Sequence, residues 1–144
     1  MSTRISKVEV YAADLRNQPG MLARVLEALA NAGADLEFIV ARRVTGNTAR
    51  VFMAPLKGAR QVRAAADVDV RKAVGMHALR IEAADRPGFG AALTRRLADA
   101  GLNLRGLSAA RIGRKSVTYV AFESTEAADQ AAKITRKLLA TRRR

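Results

Sequence analysis

Apolar and polar positions along this chain alternate first with a period of two and then with a period near 3.6, and the pair of rhythms occurs twice. Tyr11, Ala13 and Leu15 alternate with polar or small neighbours, which predicts a strand with one buried face. Leu22, Val25, Leu26 and Leu29 then recur at helical spacing. Past Gly33 the period returns to two: Leu36, Phe38 and Val40 face one way, and Thr45-Gly46-Asn47 marks a hairpin turn into TARVFMA. A short helix over 59–66 and a strand in DVDVRKAV follow. The second round places a strand on Leu79, Ile81 and Ala83, and a helix on Phe89, Leu93, Leu97 and Ala100. LNLRGLSAAR then leads through IGRK into SVTYVAFE, a second hairpin. The last helix runs from about 125 to 140, with Ala127, Ala131, Ile134 and Leu138 as its buried stripe and Ser124 or Thr125 as its N-cap.

The two rounds are copies in register. With an offset of 68, Asn17-Gln18-Pro19-Gly20 falls on Asp85-Arg86-Pro87-Gly88, and Gly33 falls on Gly101. Over 17–35 against 85–103, seven of nineteen positions are identical, including the Pro-Gly pair and the glycine thirteen residues later. Pro-Gly bends the chain out of the strand, and the later glycine stands where a helix end favours a left-handed residue. The order β-α-β-β-α-β with right-handed crossovers predicts an α+β fold of two ferredoxin-like units, 1–75 and 76–144. Each would be an antiparallel sheet with two helices on one face. The second unit lacks its last strand, because nothing after Leu139 reads as one. That edge is either bare or completed by other residues of the chain or by a second chain, and a homodimer with two-fold symmetry is the expected remedy.

Composition narrows the chemistry. Apolar residues make up 49% of the 144 and aromatics only 4%, so Ala, Val and Leu fill the interior. The absence of cysteine removes disulfides, zinc-thiolate sites and thiol catalysis. The opening MSTRISKVEVYAADLR carries no apolar run of signal-peptide or membrane length, so a cytoplasmic protein without membrane attachment is expected. The net charge of +13 is spread along the chain, +5 over 1–72 and +8 over 73–144. Such a field attracts anions in general and selects none of them.

A strand ending in Asn/Asp-x-Pro-Gly, an amphipathic helix, and Ala-Gly-x-Asp/Asn opening the next strand resemble the ACT domain, here as two copies covering nearly the whole chain. The resemblance implies a regulatory, non-enzymatic module that binds an amino acid at the strand-to-helix loop, usually where two such units meet. Carried over by position, the ligand-binding residues are Asn17, Gln18, Pro19, Gly20, Met21 and Leu22, and Asp85, Arg86, Pro87, Gly88, Phe89 and Gly90. The polar residue two after the helix-ending glycine adds Asp35 and Asn103. The physical reason stands apart from the family: a helix N-terminus offers unpaired amides and partial positive charge to a carboxylate, and a glycine beside it allows close approach.

Other chemistries lack their residues. GFGAAL has two glycines of a dinucleotide-binding loop and not the third, and no Walker pattern occurs. His77 is the single histidine, which leaves no catalytic triad and no two-histidine metal site, so neither a metal nor another cofactor is expected. Basic clusters at Arg42, Arg43 and Arg50, at Arg111, Arg114 and Lys115, at Lys133, Arg136 and Lys137, and at Arg142–Arg144 have only Tyr11 and Tyr119 for aromatic company. Nucleic-acid sites usually interleave such charge with stacking aromatics, so nucleic acid is not the favoured partner. The leading expectation is an amino-acid sensor that a partner protein reads. The alternative is a basic adaptor that docks an acidic protein or nucleic acid with no small ligand.

Overall fold

The computed structural model of the protein describes residues 3–142. In chain order the elements are β1 (Arg4–Val8), β2 (Tyr11–Arg16), α1 (Met21–Asn31), β3 (Phe38–Arg43), β4 (Thr48–Ala54), α2 (Gly58–Asp67), β5 (Arg71–Lys72), β6 (His77–Ala84), α3 (Phe89–Asp99), β7 (Gly106–Ile112), β8 (Lys115–Phe122) and α4 (Thr125–Arg142). They form two compact units, and each sheet has four antiparallel strands. Of the C-terminal basic tail, Arg143, Arg144 and the side chain of Arg142 lie outside the described residues.

The first copy is the continuous segment Glu9–Val74, with strand order β3-β4-β2-β5. Its core is built from the alternation and the helical stripe together: Tyr11 and Ala13 of β2, Val51 and Met53 of β4, and Val25 and Leu29 of α1 are buried. DVDVRKAV yields only the two-residue strand Arg71–Lys72. The residues before it are spent on ending α2: Val68 caps the helix, Asp69 takes a left-handed φ of 60°, and the Val70 N–H returns to the Ala65 carbonyl at 2.8 Å.

The second copy begins at Gly75 and has strand order β1-β6-β8-β7. Its fourth strand is β1, from the other end of the chain, paired antiparallel with β6 from Arg4↔Glu82 to Val8↔Ala78. The structure therefore departs from the division 1–75 and 76–144 at its N-terminus, because β1 belongs to the sheet of the later copy. The missing last strand is replaced from within the chain: β1 covers the edge of β6 and becomes the edge strand of that sheet. Pairing to β6 is supported by Ile5, which packs on the core of this copy, and by Lys7, whose Nζ lies 2.6 Å from Asp129 Oδ1 on α4.

Leu79, Ile81, Phe89, Leu93, Leu97, Val120 and Phe122 form that core with α4. The expected α4 stripe is displaced by about one residue. Ala128, Ala131, Ala132, Thr135, Leu138 and Leu139 are buried, whereas Ala127 and Ile134 flank them half-buried. Ser124 is the N-cap, its Oγ accepting the Ala127 N–H at 3.1 Å. Ala100 is exposed, because it is the residue at which α3 ends rather than a member of its last buried turn.

Both helices after the Pro-Gly turns stop in the same way. Gly33 (φ 83°) and Gly101 (φ 76°) are left-handed. The Gly33 N–H bonds the Ala30 carbonyl and the Ala34 N–H the Leu29 carbonyl; Gly101 and Leu102 repeat this onto Ala98 and Leu97. This is the paired-bond stop that satisfies the last carbonyls of a helix, and only glycine takes its φ without strain.

On the face of the second sheet away from its helices, Glu82 lies between two cations. Lys115 Nζ is 2.5 Å and Arg80 Nη1 2.6 Å from its carboxylate oxygens. Arg80 also donates to the Tyr119 hydroxyl at 3.1 Å.

Candidate functional site

Each strand-to-helix loop is anchored to the hairpin turn beside it. The Asn17 N–H donates to the Asn47 carbonyl, and the Asp85 N–H to the Arg114 carbonyl, both at 2.8 Å. Gly20 (φ 88°) and Gly88 (φ 82°) then start the helices in the left-handed region, and neither helix has a side-chain cap or an acidic residue in its first turn. The Met21 and Phe89 N–H groups turn back to the Gln18 and Arg86 carbonyls, and the first intrahelical bonds come from Arg24 and Ala92. The amides between, Leu22 and Ala23 in one copy and Gly90 and Ala91 in the other, carry the helix's partial positive charge with no acidic side chain in the first turn to meet it.

In the second copy this helix start opens on a groove of about 320 Å³. Asp85, Arg86, Pro87, Gly88, Phe89 and Gly90 all line it, joined by Leu93 one turn along the helix. Its opposite side is β7, through Leu107, Ala109, Ala110 and Arg111, and its base is Ser116 and Thr118 of β8. The core-facing row of β8 runs Phe122, Val120, Thr118, Ser116, so it turns from apolar to polar on reaching the groove. Thr118 is 4% and Ser116 8% exposed. The Ser116 hydroxyl donates to the Ala83 carbonyl at 3.3 Å, whereas the Thr118 hydroxyl makes no hydrogen bond to another described residue and stays open to the groove. Arg111 Nη1 stands 3.7 Å from Asp85 Oδ2, so a cation and a carboxylate are held together at the rim.

The first-copy loop is constructed differently. The Asn17 side chain donates from Nδ2 to the Gly46 carbonyl at 3.2 Å, which ties its amide to the hairpin. An ionised Asp85 has no proton to give and takes Arg111 instead. Asn17, Gln18, Pro19 and Gly20 are exposed, and Met21 and Leu22 half-buried. Asp35 and Asn103 are both exposed, and Asn103 is not among the groove-lining residues. The polar residue after the helix stop and the Pro-Gly loop are thus not brought together in the second groove. The wall from β7 and the base from β8 lie outside the loop motif that marks the site in the sequence, although the switch from Val120 to Thr118 and Ser116 in an inward-facing row is a legible sign.

His77 is exposed at the start of β6, with Nδ1 3.4 Å from the Thr125 hydroxyl. Among the described residues no group of three His, Asp or Glu side chains could hold a metal ion. No helix among them is long and apolar enough to cross a membrane.

The order of elements and the two antiparallel sheets agree with comparisons to known proteins. Residues 77–142 match the ACT domain. None of the curated proteins matches the sequence. Among solved structures, protein BT0572 from Bacteroides thetaiotaomicron superposes with a TM-score of 0.76 at 14% identity, covering 94% of this chain and 89% of that one. The ligand-free regulatory subunit of aspartate kinase from Thermus thermophilus gives 0.66 at 17% identity, covering 94% and 95%. The corresponding subunit from Thermus flavus gives 0.62 at 16% identity, covering 95% and 96%. At these identities the likeness is one of fold: two antiparallel α+β units of the ferredoxin-like ACT type.

Proposed function

We propose that the protein is a tandem of two ACT units that regulates a partner by sensing an amino acid at a strand-to-helix loop, without catalysis of its own. The observation that carries this reading is the groove at Asp85–Gly90. Uncapped helix amides with Arg86 and Arg111 suit a carboxylate, Asp85 suits an α-ammonium, and Leu93, Leu107 and Phe89 suit the carbon skeleton. A volume of about 320 Å³ is at the small end of ligand pockets and fits a molecule of amino-acid size. The likeness of fold to regulatory subunits of aspartate kinase supports a regulatory role. Occupancy would favour one arrangement of the protein over another, and the partner would respond to that shift.

A thermal-shift screen against the twenty amino acids tests the reading. A ligand at 100 times its Kd that binds only the folded form adds about 2.7 kcal/mol of stability. The control is Gly90→Leu. A Cβ at Gly90 meets nothing within 4 Å and its φ is not left-handed, so the variant folds while its side chain fills the groove. Stabilisation by one amino acid that disappears in Gly90→Leu is the expected result. A response to none of the twenty rejects the reading.

A further inference from the structure

The two copies are not equivalent at the positions that surround the groove. By the 68-residue offset, Ala83 and Gly90 of the second copy stand where the first has Leu15 and Leu22. By strand register, Ser116 opposite Ala83 and Thr118 opposite Ile81 stand where the first has Ala49 opposite Leu15 and Val51 opposite Ala13. Leu15 and Leu22 both pack on the first copy's own core. Exchanging them for Ala and Gly removes seven side-chain carbon atoms, four in the groove lining at Gly90 and three at Ala83, opposite Ser116, and exchanging Ala49 and Val51 for Ser116 and Thr118 makes the base of the groove polar.

We propose that the protein has one amino-acid site per chain, in the second copy, and that this site selects a ligand whose side chain carries a hydrogen-bonding group. The first copy keeps the loop and fills the site with its own leucines, while Asn17 spends its amide on the Gly46 carbonyl. The second copy leaves the space empty and places at its base a threonine that is 4% exposed and has no protein partner among the described residues. A buried hydroxyl facing an apolar ligand would lose its hydrogen bonds to water without replacement, and this disfavours apolar side chains. Rejection of that kind is stronger than the preference a hydrophobic wall can exert, because it leaves a polar group unpaired.

This inference rests on the amino-acid reading, and one experiment separates their failures. Uniformly ¹⁵N-labelled full-length protein is titrated with an equimolar mixture of the twenty amino acids, then with each amino acid alone. Amide shifts confined to residues 85–91, 109–111 and 116–118, with one equivalent bound per chain by calorimetry, are expected. Thr118→Val reproduces the first copy's Val51 at nearly constant shape; it should weaken the polar ligand about tenfold and erase the preference over its apolar counterpart. Shifts of equal size at 17–23 and 49–51 would overturn the single site while leaving amino-acid sensing intact. An unchanged preference in a folded Thr118→Val protein would overturn the selection mechanism. Shifts at neither loop would remove sensing and this inference together.

Discussion

Two salt-bridge partners, Lys115 first and Arg80 second, hold the Glu82 carboxyl down to about 2 from an ordinary 4.5. A carboxylate whose folded value is depressed stabilises the fold fully above its unfolded value, and that contribution is lost as pH falls through the folded one. Between pH 4.5 and 2 the wild-type protein should therefore lose stability faster than Glu82→Gln. Urea midpoints measured at pH 7, 4 and 2.5 check this: the variant is the weaker protein at pH 7, and the gap narrows with acid. Glycines give a second residue-scale contrast. Gly101→Ala forces a side chain into a φ of 76° and should cost about 1–2 kcal/mol. Gly90→Ala has no such strain and should gain up to about 1 kcal/mol of helix propensity. At this scale the loop residues are legible in the sequence, because Pro-Gly and the helix-ending glycine are backbone requirements with few substitutes. Thr118 is legible only as a polar residue in an inward-facing row, and neither it nor Arg111 is legible as a partner of that loop. Their position depends on which strand lies beside which, and no local spacing encodes that.

The elements themselves are legible wherever one face is buried and the period is long. Apolar spacing places all four helices to within a few residues of their ends. What escapes is phase and extent. The α4 stripe is centred one residue off the expected one because Ala127, Ala128, Ala131 and Ala132 put alanine both inside and beside it, so composition does not mark the buried edge there. Strand β5 is short because Val68 and Asp69 serve the stop of α2, although their alternation reads as extended chain. Ser124 makes the α4 cap testable: Ser124→Ala removes the acceptor for the Ala127 N–H and should cost about 1 kcal/mol, seen as faster hydrogen exchange in the first turn. Thr125→Ala should leave that turn unchanged, since Thr125 is the first helical residue rather than the cap.

For the molecule as a whole, charge and chain order are the two global properties. With a net charge of +13, nonspecific binding to duplex DNA at low salt is expected, independent of the groove. The log of its affinity should fall with log salt, and reversing the exposed Lys133, Arg136 and Lys137 should make that slope shallower by about one unit for each phosphate no longer neutralised. Gly90→Leu should leave the slope untouched, which separates surface charge from the ligand site. The closure of the second sheet by β1 is not legible, because RISKV is short and its partner lies far along the chain. That distance sets an order of events during folding. The first copy is continuous from Glu9 to Val74 and needs nothing beyond itself to complete its sheet. Strand β1, made before its partner, has to wait until β6 exists, since Arg4 pairs with Glu82 and the loop between them spans the whole first copy. Closing so long a loop is entropically slow relative to the hairpins within each unit. In pulse-labelled refolding, amides of β1 should gain protection after those of β2 and β4, and on the ribosome β1 should stay unpaired while the first copy folds behind it.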